Sequence, residues 1–384
     1  MENVKYLITN NVRKFGMIIA LIGIMILFQI LTNGILLTPL NITNIIMQNS
    51  YIIVLAIGMM LIIITGEIDL SVGSVAAFVG AVSGVLLVSW DLPVLAGILL
   101  CLALGALIGA WQGFWVAYMN IPSFIVTLAG MLIFRGLTLI VLDGQTIAPF
   151  PEGFRSLSSA FVPDIFGGEL QILTILAGVV LSVIYIFNEL KSRRNALKYN
   201  FETASYPLFI LKSAVMLVVI NVFTYVLALY QGLPYVLIVL FALIIGYTFV
   251  MNKTVLGRHV YAVGGNANAA QLSGVKTKKM KFLVFVNMGV LAALSGLIFA
   301  GRLNAATPQA GNLFELDAIA AAVIGGASFT GGVGTVFGAV IGALVMGVLN
   351  NGMSLMGIGI DWQQAIKGLV LLAAVAFDVL SKNR

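Results

Sequence analysis

Charge is scarce in this chain. Asp, Glu, Lys and Arg make up 9% of its 384 residues, hydrophobic side chains make up 61%, and mean hydropathy is +1.10. A soluble domain carries about 25% charged residues, so most of this surface does not face water. Cysteine and histidine are nearly missing, with only Cys101 and His259. One cysteine excludes an intramolecular disulfide, and one Cys with one His excludes the usual N/S metal sites. Cys101 lies in an apolar run and reads as a small buried hydrophobe. His259 falls in a basic loop, there is no HExxH spacing, and no Ser/His/Asp constellation emerges. Gly264-Gly265-Asn266 is not followed by Gly-Lys-Ser/Thr, so the chain has no phosphate-binding loop. It reads as neither an enzyme nor a cofactor protein, and any energy from ATP has to come from a partner.

Apolar length and glycine are what the chain does have. Its 41 glycines exceed the usual ~7% and suit closely packed membrane helices. Apolar segments run over about 15–31, 45–65, 71–89, 94–118, 123–142, 170–187, 211–230, 235–251, 282–300, 316–328, 333–351 and 362–380. The pattern predicts an all-α polytopic membrane protein with about 10–12 hydrophobic helical segments, residues 1–384 forming a single transmembrane domain. The first segment follows basic residues (Lys5, Arg13, Lys14) but lacks a small-residue cleavage pattern, so it reads as an uncleaved span. The segment at 316–328 is shorter than the ~20 residues a full span needs and is compatible with re-entry.

Lysine and arginine orient the segments. With the N-terminus inside and every segment crossing, residues 188–210 and 252–281 fall inside. The first is a basic insert with Lys191, Arg193, Arg194 and Lys198, close to Lys212; the second has Lys253, Arg258, Lys276, Lys278, Lys279 and Lys281 and no acid. Lys382 and Arg384 put the C-terminus inside as well. The outside loops hold Asp91, Asp143, Glu152, Asp164, Glu169, Glu315, Asp317 and Asp361 against only Arg155 and Arg302. The net charge of +6 is thus accounted for by topology and gives no reason to invoke nucleic acid. Residues 143–169, rich in Pro and Gly, read as a shaped outer loop. Within 252–281, Asn266 can cap a short helix over Ala267–Leu272 that Ser273 and Gly274 end, lying along the membrane lipid.

The stretch Gly66-Glu67-Ile68-Asp69-Leu70-Ser71-Val72-Gly73-Ser74 sets two carboxylates between long apolar runs. Acids facing lipid cost about 2.5–3.5 kcal/mol each on insertion scales, so this is a polar turn at a surface, a helix break buried in protein, or a polar path. Asp69 is expected to accept hydrogen bonds from the start of the following helix. A faint repeat pairs Ser71-Val72-Gly73-Ser74-Val75 with Gly332-Val333-Gly334-Thr335-Val336, each after a Gly-bearing break; chance between two glycine-rich helices accounts for it equally well. Arg135 reads as a partner to a carbonyl or an acid, and Lys367 as a cation reaching toward the outer surface.

Together these residues carry a resemblance. Gly257 to Gly274 resembles the cytoplasmic coupling segment of ribose- and xylose-type ABC importer permeases. Gly66 to Ser74 matches that family's Gly-x-Ile-Asp-Leu-Ser-Val-Gly-Ser signature, and Ala322 to Gly334 matches a second. Gly109 to Trp115 and Ile121 to Leu128 are similar to the xylose and multiple-monosaccharide branch, as is the basic insert. The resemblance implies a bacterial inner-membrane permease working with a cytoplasmic ABC ATPase subunit, an extracytoplasmic sugar-binding protein and a second permease copy in a homodimer. By position it implies an ATPase-coupling role for Gly257, Arg258, Gly264, Gly265, Asn266, Ala270, Ser273 and Gly274, the glycines and Asn266 setting a turn. Helix breaks along the translocation path fall at Gly66, Asp69, Ser71, Gly73 and Ser74 and at Gly325, Gly326, Gly331 and Gly332. Glu67 stands at a variable position and is given no role. The rival readings are an ion-coupled secondary sugar transporter and a scaffolding membrane protein without transport.

Overall fold

The computed structural model describes residues 12–168, 170–201 and 205–382, apart from the side chains of 12–15 and 377–382. The expectations that rest on the side chains of Lys5, Arg13, Lys14, Glu169, Lys382 and Arg384 lie outside them. Among the described residues there is no strand, only two isolated bridges, and the helices are α1 (Val12–Leu31), α2 (Pro39–Ile64), α3 (Val72–Gly84, continued by a π-helical turn Val85–Ser89), α4 (Val94–Ala117), α5 (Ser123–Leu142), α6 (Glu152–Ser159), α7 (Ile172–Lys198), α8 (Tyr206–Ala228), α9 (Tyr235–Lys253), α10 (Val255–Gly265), α11 (Ala267–Leu272), α12 (Thr277–Leu303), α13 (Phe314–Ile324), α14 (Val336–Leu355) and α15 (Ile360–Lys382). Each apolar segment of the sequence is one of these helices. Among the described residues, nine helices are long and apolar enough to cross a membrane. The protein is an all-α polytopic membrane protein.

α2 is apolar all round, and a helix of that kind belongs in the middle of a bundle. Residues Ile52 to Ile64 are almost wholly buried, enclosed by α9, α12, α13 and α14. Helix association in lipid lacks a hydrophobic driving force and rests on close packing, which small residues permit. The α4–α12 contact is built this way: a Cβ added at Gly289 would lie 2.1 Å from the Gly105 carbonyl oxygen, and one at Gly109 would lie 2.3 Å from that of Phe285. At the periphery, α7 and α8 pair through Gly178 against Thr224 and through an Asn221–Ser182 hydrogen bond of 2.8 Å. Their other faces are exposed and apolar, as a lipid-facing hairpin requires.

Most of the basic stretch 188–210 is helix: α7 runs through Lys198 and α8 opens at Tyr206, with Glu189 paired to Lys212 at 2.6 Å. Residues 202–204 lie outside the described residues. The loop 143–168 carries α6 and buries Phe150 and Phe154. It meets the end of α12, where Asn304 Oδ1 accepts the Phe150 N–H at 2.9 Å and Ile147 bridges Ala306.

The short segment near 316–328 links two parts of the bundle. At one end Ala306 pairs with Ile147; at the other the Gly332 N–H donates to the Ile64 carbonyl at 2.8 Å, where α2 stops. Between them run irregular residues 304–313 and then α13, whose 11 residues span about 16 Å at 1.5 Å each. Irregular backbone at this depth is tolerated because protein surrounds it. The Arg135 guanidinium donates to the carbonyls of Ala310 at 2.7 Å and Pro308 at 3.4 Å, the carbonyl partnership expected of it. Lys367 differs from its expectation: it turns inward to Asp317 of α13, at 2.9 Å, because the broken helix leaves a carboxylate within reach.

Candidate coupling and translocation site

Two helix breaks and the α10–α11 segment meet at one end of the bundle. The first break follows α2, where Gly66 takes φ +78° and turns the chain away from the helix axis. Asp69, 2% exposed, accepts from the Ser71 N–H at 2.8 Å and the Ser71 hydroxyl at 2.6 Å, fixing the entry to α3. Gln112 of α4 donates to Ser71 Oγ at 2.8 Å, and the Ile68 N–H donates to Ser123 Oγ at 3.2 Å, so the break is tied to α4 and α5. Burial pushes the Asp69 carboxyl, which lies between the spans, up to about 6, against the opposing effect of its Ser71 hydrogen bonds. Ser74 is buried one turn into α3, and Gly73 packs so tightly that a Cβ there would lie 2.4 Å from both Gly311 O and Glu315 Oε2.

The second break runs from Gly325, at the end of α13, to Thr335, whose side chain caps α14 by accepting from the Gly338 N–H at 3.0 Å. Gly326, Gly331 and Gly332 have φ of +84°, +80° and +74°, angles that L side chains resist. Gly325 sits on the backbone of Gly338 instead, with no room for a Cβ.

α10 lies across both breaks. Gly257 lets the chain fold back on the end of α9, within 2.3 Å of the Met251 carbonyl for an added Cβ. Val260 and Val263 are buried, and the Tyr261 hydroxyl donates to Gly334 O at 2.7 Å. At Gly264 a Cβ would lie 1.6 Å from Ile64 O and 2.7 Å from the Gly332 nitrogen. This one glycine therefore joins the end of α2 to the second break. Lys281 at the start of α12 pairs with Glu67, closing the first break onto the same segment.

Two expectations need correction. Gly264 and Gly265 do not set a turn through unusual backbone angles, since both are the last residues of helix α10. Gly264 is needed for close approach, whereas a Cβ on Gly265 meets nothing within 4 Å. The turn is made by Asn266, in extended conformation, which ends α10 and caps α11 by accepting the Ala269 N–H at 2.9 Å. Ser273 and Gly274 (φ +86°) follow α11 as expected. Ala270 faces the body and is buried, while Arg258, Ala269, Gln271 and Leu272 face outward, Leu272 at 90% exposure. The second concerns Glu67, given no role from sequence, which holds the ion pair to Lys281. Gln112, Tyr261 and Glu315 were also passed over. Gln112 lies within Gly109–Trp115, but nothing in the sequence shows that it reaches Ser71.

A surface segment is joined by close backbone approach to both points where the bundle's helices are interrupted. The family model described as branched-chain amino acid transport system / permease component matches residues 41–375. The xylose transport system permease protein of Haemophilus influenzae is 41% identical over 374 residues, covering 97% of this chain and 98% of that protein. The xylose permease of Escherichia coli K12 is 39% identical, covering 97% and 93%, and the ribose import permease of the same strain is 34% identical, covering 88% and 85%. No solved structure matches. The chain belongs to this family of transport-system permease components.

Proposed function

We propose that this chain is the membrane-spanning permease subunit of an ATP-binding-cassette importer in a bacterial inner membrane. It translocates a monosaccharide, xylose or a related sugar, delivered by an extracytoplasmic binding protein. ATP is hydrolysed on a cytoplasmic partner subunit, and two copies of the permease form the working unit. The observation that carries the reading is α10–α11 itself. Its inner side is packed on both breaks, while its outer side offers Arg258, Ala269, Gln271 and Leu272 to a partner. A hollow lined by Tyr118, Gln271, Val275, Lys276, Lys278 and Lys279 lies beside it, basic enough to receive acidic side chains. The lysine and arginine bias supports a cytoplasmic position for this segment and both termini and an outer position for the loop 143–169. Near-full-length similarity to xylose permeases supports the sugar class.

Reconstitution tests the reading. Vesicles carrying the permease, its ATPase and its binding protein should accumulate labelled xylose only with ATP and loaded binding protein, and an imposed proton or sodium gradient should neither replace nor be required with ATP. Uptake that follows the ion gradient without ATP would establish the secondary-transporter reading instead.

A further inference from the structure

We propose that Glu315 is a sugar-binding residue of the translocation path, accepting hydrogen bonds from the hydroxyls of the passing monosaccharide; the assignment rests on the sugar-importer reading. Glu315 is 7% exposed, and its Oε2 has no hydrogen-bond partner among the described residues. An orphaned buried acceptor is costly, about 1–3 kcal/mol or more for a charged group, and such groups ask for a reason. The neighbouring acids are occupied: Asp317 is paired with Lys367, and Asp69 accepts from Ser71.

Oε2 sits against Gly73, where the first break enters α3, and Glu315 opens the half-helix α13 that leads to the second break. Gly311 and Phe314, just before Glu315 in the chain, line a cavity of about 10 Å³ with Ala76, Ala77, Gly80 and Phe299, a cavity that Glu315 itself does not line. That is room for about one water, so a sugar passes only when α3 separates from residues 305–314. Separation there would uncover the Glu315 carboxylate and the edges of an aromatic cluster in which Phe314 lies 4.2 Å from Tyr51 and 5.0 Å from Phe299, centroid to centroid. A carboxylate can accept two hydroxyls at once. Arg135, bonded to the carbonyls of Pro308 and Ala310, holds the irregular backbone that leads into Glu315.

The test couples the residue to the sugar hydroxyls. Uptake of D-xylose and of its 2-, 3- and 4-deoxy analogues is measured in vesicles with the full complex, at saturating loaded binding protein so that delivery does not limit. For the unaltered permease, at least one analogue should be imported roughly tenfold more slowly than xylose. In Glu315→Ala that penalty should vanish, xylose itself falling to the analogue's rate. Glu315→Gln keeps the volume and one acceptor oxygen, and should reduce the penalty without removing it; it decides the matter if the alanine variant does not assemble. Deoxy penalties unchanged by both substitutions overturn the assignment. Unaltered vesicles that import no sugar would overturn the importer reading as well, so the two failures are distinguishable.

Discussion

Asp69 was legible as important because an acid between two apolar runs has few tolerable places. Its partner was legible too, since a helix start supplies unpaired N–H groups. Two consequences follow at this residue. Asp69→Ala removes the acceptor and should cost about 1 kcal/mol or more, whereas Asp69→Asn keeps an acceptor for Ser71 and should cost less, by thermal unfolding in detergent. The pH dependence has a definite sign. An unfolded Asp titrates near 3.9 and the folded group near 6, so the native state holds this proton more tightly. The stabilisation it supplies is complete below the unfolded value and is lost as pH rises through about 6. The melting temperature should therefore fall from pH 5 to 7 relative to that of Asp69→Asn; parallel curves for the two would contradict this. Glu67 was not legible, because its partner Lys281 is 214 positions away and only packing brings them together. Charge reversal tests that pair: Glu67→Lys or Lys281→Glu alone should depress uptake, and the double reversal should restore part of it. Equal defects in all three would mean that the pair does nothing.

Among the elements, each long apolar run became a helix, because ~20 apolar residues in lipid have no other way to satisfy their backbone. α11 was legible from Asn266, a short helix-favouring run and Gly274. α10 was not: its two terminal glycines argued for a turn, and burial of Val260 and Val263 on the bundle overrode that propensity. The basic insert 188–210 lies beyond the apolar run, yet α7 continues into it as far as Lys198, since Leu, Lys, Arg and Ala favour helix. The link made by residues 304–313 and α13 left only a short apolar segment in the sequence, and irregular backbone inside a bundle has no sequence period to reveal it. Tight helix contact gives the prediction at this scale. Gly289→Val puts a branched side chain where a single Cβ already lies 2.1 Å from Gly105 O. It should lower the melting temperature and the yield of folded permease more than Gly136→Val on α5, where a Cβ meets nothing within 4 Å. Equal losses would show that the α4–α12 approach is not a critical contact.

For the molecule as a whole, orientation comes first. In a background lacking Cys101, impermeant thiol reagent added from outside should modify Arg155→Cys and spare Arg194→Cys and Asn268→Cys; modification of Asn268→Cys would invert the topology. The larger claim is that α10 joins the ATPase-facing surface to both helix breaks through Gly264. Its most direct test is ATP hydrolysis and xylose uptake measured together in vesicles containing the complete importer with Gly264→Ala or Gly265→Ala. A Cβ at Gly264 would meet Ile64 O at 1.6 Å, so Gly264→Ala has to part α10 from α2, whereas Gly265→Ala has open space. Gly264→Ala should still bind the ATPase and hydrolyse ATP but import less than a tenth as much xylose per ATP, while Gly265→Ala should match the unaltered permease. The same xylose-to-ATP ratio in both variants and the unaltered permease would contradict the account.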